Sequence, residues 1–167
     1  MADTEKGMVH IYTGCGKGKS TAAFGLAMRC AGNGGRVFVI QFRKARPCGE
    51  HKSAAKLGIE VIRCEAGRGS APCAHPCPLL SAVTGVFEKN DPDLVILDEV
   101  MAALKHGCVD ISEVRDLLAA RPEETELVMT GRDAPDELIE RADLVTEMKK
   151  IKHYYDKGRA AKQGIEF

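Results

Sequence analysis

The residues best suited to hold phosphate lie near the start of the chain. A lysine and a hydroxyl stand in Gly18-Lys19-Ser20-Thr21, directly behind Gly14-Cys15-Gly16-Lys17. Glycines let successive backbone N–H groups turn inward where a Cβ would block close approach. The apolar run Val9-His10-Ile11-Tyr12 leads in and a helical pattern leads out. That is the strand–loop–helix layout of a P-loop, with the positive end of the helix aimed at the loop. Lys19 supplies a mobile charge for phosphate oxygens and Ser20 a hydroxyl for Mg²⁺. Gly14, Cys15, Gly16, Lys17, Gly18, Lys19, Ser20 and Thr21 are thus the candidate nucleoside-triphosphate loop. The strict spacing asks for glycine where Thr13 stands, and Gly14 comes one residue late. Lys17 is an extra cation inside the loop. It reads either as a solvated surface lysine or as a second phosphate contact, and its place in the turn favours the contact.

Two further polar groups follow apolar runs. Leu94-Val95-Ile96-Leu97 ends in Asp98-Glu99. Behind a P-loop, Asp98 is the expected partner of Mg²⁺, directly or through water. Glu99 is a general base if the chain is an ATPase, or else another metal or substrate contact. Ser20, Asp98 and Glu99 form the candidate Mg²⁺ set. Thr130-Gly131-Arg132 closes another apolar run. The glycine permits a tight exit, and Arg132 can turn its guanidinium toward phosphate. Its alternative is a surface turn with a salt bridge. Lys19, Lys17 and Arg132 are the candidate catalytic cations.

A regular alternation of elements must position these groups. Strands are expected at Met8 to Tyr12, Val37 to Phe42, Ile59 to Arg63, Leu94 to Leu97, Leu127 to Thr130 and Leu144 to Met148. Helices are expected at Thr21 to Ala31, Glu50 to Leu57, Leu79 to Glu88 and Pro135 to Arg141. A further helix runs to Ala120 with Ser112 as its cap. The segment 64–78, rich in Cys, Pro and Gly, reads as an insertion loop. Short apolar strands separated by helices imply right-handed crossovers and a mainly parallel sheet covered on both faces. Ligands of such a sheet bind beyond the carboxyl ends of its strands. The P-loop, Gln41 to Lys44, Asp98-Glu99 and Thr130-Gly131-Arg132 all fall at those ends. No internal repeat and no linker interrupts the pattern, so residues 1–167 are expected to form one nucleotide-binding domain.

Composition narrows the partners. Lys+Arg and Asp+Glu both total 24 among 167 residues, so no basic stripe points to nucleic acid. There is no Trp and aromatics make up 5%, which leaves few platforms for stacking bases. The N-terminus Met1-Ala2-Asp3-Thr4-Glu5-Lys6 lacks the apolar stretch of a signal peptide. No apolar run approaches the roughly 20 residues of a membrane span. A cytoplasmic location is expected, and there seven cysteines argue for free thiols or a metal rather than disulfides.

Taken in order, the motifs resemble those of the P-loop-type corrinoid adenosyltransferases, which act on cob(I)alamin or cob(I)yrinic acid a,c-diamide. The likeness rests on Gly14 to Gly25, Gln41-Phe42-Arg43-Lys44, Leu97-Asp98-Glu99, Thr130-Gly131-Arg132, Ala142 to Met148, Lys152-His153 and Gly164-Ile165-Glu166-Phe167. It implies an α/β fold of the P-loop NTPase (RecA-like) type, three α/β/α layers, and a homodimer. It implies transfer of the 5′-deoxyadenosyl group of ATP to Co(I), with release of triphosphate. An electron donor such as a flavoprotein would reduce the cobalt. Gly14 to Ser20 would wrap the triphosphate. Three departures stand out. Cys15 replaces a common Asn, and the N-terminal extension of some members is nearly absent. The aromatic segment that helps displace the lower cobalt ligand is replaced by Cys64 to Pro78. Within and beside that segment, Cys48, His51, Cys64, Cys73, His75 and Cys77 are soft or borderline donors. Cys48, Cys64, Cys73, His75 and Cys77 form a candidate Zn or Fe set that would order the corrinoid-facing loop. The alternative is a group of free thiols. Two other functions fit the P-loop: a kinase resembling thymidine kinase, and a non-catalytic ATP-gated corrinoid carrier. The cysteines of that kinase family follow its Asp-Glu strand, whereas here they precede it.

Overall fold

Six short strands make one sheet, and the order in which they lie decides where a ligand can sit. They are β1 (Val9–Thr13), β2 (Val37–Gln41), β3 (Glu60–Arg63), β4 (Leu94–Asp98), β5 (Glu126–Thr130) and β6 (Leu144–Glu147). The computed structural model describes residues 6–44, 46–64 and 77–166. The strands run in the order β3-β2-β4-β5-β1-β6, and every neighbouring pair is parallel. The expectation of a mainly parallel sheet is met in full.

Period-two alternation sends the side chains of each central strand to two separate cores. Val95 and Leu97 of β4 join Phe38, Ile40, Leu127 and Met129 on one face. Leu94 and Ile96 join Val37, Val39 and Val128 on the other. On the second face lie α1 (Lys19–Gly32) and α2 (Gly49–Lys56), through Ala23, Ala27 and Ala54. The first face is covered by α3 (Pro78–Asn90), α4 (Val100–Lys105), α5 (Ile111–Ala120) and α6 (Asp136–Ile139), through Val83, Met101, Val114 and Leu138. The result is three layers, α/β/α.

Chain direction explains this division. From β1 the chain moves to β2 and β3 in one direction across the sheet. It then returns through β4, β5 and β6 in the other. Right-handed crossovers put connections of opposite direction on opposite faces. Neighbouring strands β1 and β5 therefore send their connections to opposite sides, as do β2 and β4. Crevices open at the carboxyl ends of such pairs.

Some boundaries differ from the sequence expectation. The six-residue α4 was not expected. It follows β4 at once, starting from Glu99 in the left-handed region with no side-chain cap, so no capping signal marked it. Helix α5 is capped by Asp110 rather than Ser112. Asp110 and Glu113 form a reciprocal capping box, the Asp110 N–H donating to Glu113 Oε2 at 2.7 Å. That pair satisfies two otherwise orphaned amides, which a lone serine cannot do. Helix α6 is a single four-residue turn. A 3-10 helix, Tyr154–Lys157, begins the C-terminal segment.

Candidate functional site

The glycine-rich loop between β1 and α1 is shaped by what packs against it. The N–H of Met148, just past β6, donates to Thr13 O at 2.8 Å, and Met148 O accepts from the Gly16 N–H at 2.5 Å. A Cβ on Gly16 would lie 2.5 Å from that same oxygen. Gly14, at φ +98°, would bring its Cβ to 2.7 Å from it. Glycine at both positions is thus a packing requirement as well as a conformational one. The one-residue departure from strict spacing leaves a loop that is closed against β6 and opens directly into α1.

Lys19, the first residue of α1, is 7% exposed. Its ammonium donates to the loop's own carbonyls, Gly14 O at 2.7 Å and Gly16 O at 2.8 Å. Burial holds its pKa below the ordinary lysine value, Glu99 and Asp98 pull it back up, and Arg132 pushes it down. Asp98, Glu99 and Arg132, from the ends of β4 and β5, therefore lie within electrostatic reach of the loop lysine. The convergence expected from the sequence is present in three dimensions. Among the described residues, three of the four non-glycine positions with positive φ sit on this edge: Arg43 after β2, Glu99 after β4 and Asp133 after β5. Such conformations cost on the order of 1–3 kcal/mol each and gather where function demands them. Gly131, at φ +144°, has no room for a side chain, since a Cβ would sit 2.5 Å from that of Met101.

Asp98 is the most constrained side chain of the site. It is 1% exposed, and its neighbours Gln41 and Thr130 are 0% exposed. Asp98 Oδ2 accepts from Gln41 Nε2 at 2.9 Å, and Oδ1 accepts from the Thr130 hydroxyl at 2.7 Å. Thr130 Oγ1 in turn accepts from the Glu99 N–H at 2.9 Å. Beyond Gln41 stands His51, whose Nε2 lies 2.5 Å from Gln41 Oε1 and whose Nδ1 accepts from the Cys48 N–H at 2.9 Å. Burial lowers the His51 pKa, with Arg63 and Lys44 adding to the effect and Glu50 and Asp98 opposing it. Sequence reasoning placed His51 among candidate metal donors, but both of its ring nitrogens are committed to hydrogen bonds. It also missed Thr130 as the bridge between the two acidic residues. The available signal was a polar residue ending an apolar strand, which Gln41, Asp98 and Thr130 share.

Mg²⁺ suits this donor set. Ser20, Asp98 and Glu99 offer hard oxygens, and each Asp98 oxygen has accepted only one hydrogen bond from the protein, leaving lone pairs for a metal or its waters. Among the described residues no three His, Cys, Asp or Glu side chains converge on one metal position. Mg²⁺ does not need them, because phosphates and water complete its shell. Of the soft-metal set, Cys73 and His75 lie outside the described residues. Cys48 is buried ahead of α2. Cys77 is buried at the start of α3, where burial pushes its thiol pKa up, with Cys64 and Cys108 close by.

Lys17 has a different setting. Its ammonium donates to Ile165 O and to Glu166 Oε1, both at 2.9 Å, and to the Tyr154 hydroxyl at 3.2 Å. The Tyr154 hydroxyl also donates to Glu166. The C-terminal segment is thus tied to the glycine-rich loop, a link no local sequence pattern announces. Cys15, Thr21 and Arg132 are exposed around the site, and Ser20 is half-buried.

The sequence profile of the family described as ATP:corrinoid adenosyltransferase BtuR/CobO/CobP matches residues 5–167. A corrinoid adenosyltransferase of Pseudomonas aeruginosa is 36% identical over 175 residues, covering 99% of this chain and 86% of that protein. One from Sinorhizobium is 38% identical over 175 residues, covering 98% and 81%. Corrinoid adenosyltransferase CobA of Salmonella typhimurium is 33% identical over 174 residues, covering 99% and 88%. The profile match over residues 5–167 and relatives that cover nearly the whole chain identify the protein as an enzyme, a transferase, of the corrinoid adenosyltransferase family.

Proposed function

We propose that this protein transfers the 5′-deoxyadenosyl group of ATP to the reduced Co(I) centre of a corrinoid substrate, releasing triphosphate. The cobalt lone pair forms the Co–C5′ bond and the C5′–O5′ bond breaks. Its electrons leave with the triphosphate oxygen, and cobalt passes from Co(I) to Co(III). The nucleophile is supplied reduced, so no proton has to be removed from it. The protein's task is to hold C5′ in line with cobalt and to stabilise charge developing on the leaving group.

The observation that carries this reading is the gathering of Lys19, Asp98, Glu99 and Arg132 at adjacent strand ends in a chain of this family. Lys19 would exchange its two carbonyl partners for triphosphate oxygens. Arg132, exposed after Gly131, would reach the same oxygens. Lys17 would join them on leaving Glu166. Gly14 to Ser20 would wrap the phosphates through backbone N–H groups. Ser20, Asp98 and Glu99 would hold Mg²⁺, which when bound neutralises and orients the triphosphate. A homodimer, a cytoplasmic location and a flavoprotein electron donor belong to the same reading. Among the described residues no helix is long and apolar enough to cross a membrane. Cys48, Cys64, Cys73, His75 and Cys77 are retained as a candidate Zn or Fe set, to be tested by metal analysis of the purified protein.

The test is an anaerobic reaction of MgATP with chemically reduced corrinoid. Light-sensitive adenosylcorrinoid and triphosphate are expected, formed over many turnovers and lost in Lys19→Ala. Release of ADP without a Co–C product would assign a kinase instead. One equivalent of product per chain and no more would assign a carrier.

A further inference from the structure

We propose that His51 is a positioning residue that acts through Gln41 to fix the orientation of the Asp98 carboxylate toward the nucleotide-bound metal.

The argument is one of hydrogen-bond direction. A backbone N–H can only donate, so the Cys48 amide at 2.9 Å makes His51 Nδ1 an acceptor. In the neutral ring the proton then sits on Nε2, which donates to Gln41 Oε1. With its oxygen so engaged, Gln41 must turn its NH₂ toward Asp98 Oδ2 at 2.9 Å. A flipped amide would set a carbonyl against a carboxylate and leave the His51 proton facing an NH₂ group. The polarity of the whole chain is thus set by one main-chain amide ahead of α2.

The far side of Asp98 has the same construction. The Glu99 N–H donates to Thr130 Oγ1, which obliges the Thr130 hydroxyl to donate to Asp98 Oδ1. The carboxylate is therefore gripped by two relays, each anchored in a backbone amide, and its charge is felt by Lys19. Buried polar networks of this kind are effective only when every member is satisfied. Here Gln41, Thr130 and Asp98 are all at most 1% exposed. Outer partners of metal ligands commonly matter 10–100-fold to metal affinity or activity.

The inference rests on the reading that Asp98 serves the Mg²⁺ of a bound nucleotide. It does not depend on which acceptor the nucleotide reacts with, so binding tests it without corrinoid. Calorimetric titration of the full chain would compare MgATP with ATP in excess chelator. His51→Phe keeps the ring volume and removes the donor. Its MgATP dissociation constant should rise about tenfold while that for metal-free ATP changes less than about twofold. His51→Gln restores a donor of similar reach and should recover most of the loss. Equal weakening of both ligands, or no weakening of MgATP, would overturn the proposal, and so would failure of His51→Gln to rescue. Wild-type protein alone gives a second test. ¹⁵N NMR should show His51 protonated on Nε2 and bare on Nδ1 near neutral pH, and the opposite tautomer would refute the relay. If the NMR and MgATP results hold while no adenosylcorrinoid forms, the relay stands and only the proposed reaction fails.

Discussion

Lys19 and Lys17 stand two residues apart in one loop and are held in opposite ways. Lys19 is buried and rests on main-chain carbonyls of its own loop. Those contacts orient the ammonium without neutralising it, and burial already strains its charge. Lys17 is 38% exposed in its side chain and rests on a carboxylate from the far end of the chain. On the proposed function the first arrangement waits for an anion, whereas the second already has one. The buried half of the site, comprising Lys19, Asp98, Gln41 and Thr130, is thus set in advance of binding. The exposed half, around Lys17, must change partners.

The difference is tested most severely by Lys19→Ala. Removing this cation takes away a preorganised charge in a water-poor setting, where such groups are worth the most. Turnover should fall by about a hundredfold or more, as single-turnover formation of the adenosylated product would show. A loss of less than about threefold would mean that Lys17 or Arg132 supplies the main charge and that the contrast is drawn the wrong way round.

Next in size is Thr130→Val, which keeps the shape and removes the hydroxyl. Asp98 Oδ1 loses a buried donor and the Glu99 N–H loses its acceptor. Stranding buried partners in this way costs about 1–3 kcal/mol in stability. Urea denaturation without ligand would measure it. An unchanged midpoint would show that the preset half of the site does not depend on this bridge.

A smaller effect is expected from pH. Burial lowers the His51 pKa, with Glu50, Lys44, Arg63 and Asp98 as its charged surroundings. The unfolded chain then binds this proton more readily than the folded one. Stability from this residue is full above the unfolded value of about 6.5. It is lost as pH falls from there through the lowered folded value. Denaturation midpoints between about pH 5 and 7.5 should rise with pH in the wild type and rise less steeply in His51→Gln. An identical slope in both would assign the dependence to another group.

How much of this was legible in the sequence follows from the distance over which each contact acts. The glycine-rich turn from β1 into α1 was legible because Gly14 to Thr21 carry their pattern in adjacent residues. The two covered faces of the sheet followed from short, wholly apolar runs such as Leu94 to Leu97 separated by helices, and the strand ends then drew the candidate site residues together. Asp98-Glu99 and Arg132 stand out as candidates because charged residues ending apolar strands are conspicuous. Gln41 and Thr130 end strands in the same way, but a neutral side chain announces no partner. Their link to Asp98 exists only once β2, β4 and β5 lie side by side. His51 was grouped with the cysteines because spacing along the chain says nothing about ring-nitrogen partners. Helix α4 and the Asp110 cap were missed for local reasons. The first has no start signal beyond a left-handed Glu99, and Ser112 drew attention from the Asp110–Glu113 pair. The hold of residues 154–166 on Lys17 spans nearly the whole chain, and no pattern within either segment encodes it.

That last contact gives the smallest expected effect and the finest test of the comparison. Lys17 cannot give its full charge to a triphosphate while Glu166 holds it at 2.9 Å. The Glu166 carboxyl is itself held below the usual carboxylate range, first by the Lys162 N–H and then by Lys17. Glu166→Gln keeps one of the two acceptor oxygens that serve Tyr154 and the Lys162 amide, and it removes the charge that competes with phosphate. Exposed ion pairs of this kind contribute little, so the gain in affinity for MgATP should be no more than about threefold. Salt should erase it, because the lost competition is electrostatic and solvent-accessible. Two findings would contradict this account. A weaker MgATP affinity in Glu166→Gln would mean that the carboxylate steers Lys17 toward the phosphates rather than away from them. An affinity gain independent of salt would mean that the tail acts by covering the loop. Either result would replace a contrast between waiting and occupied cations with one between two cations that are both preset.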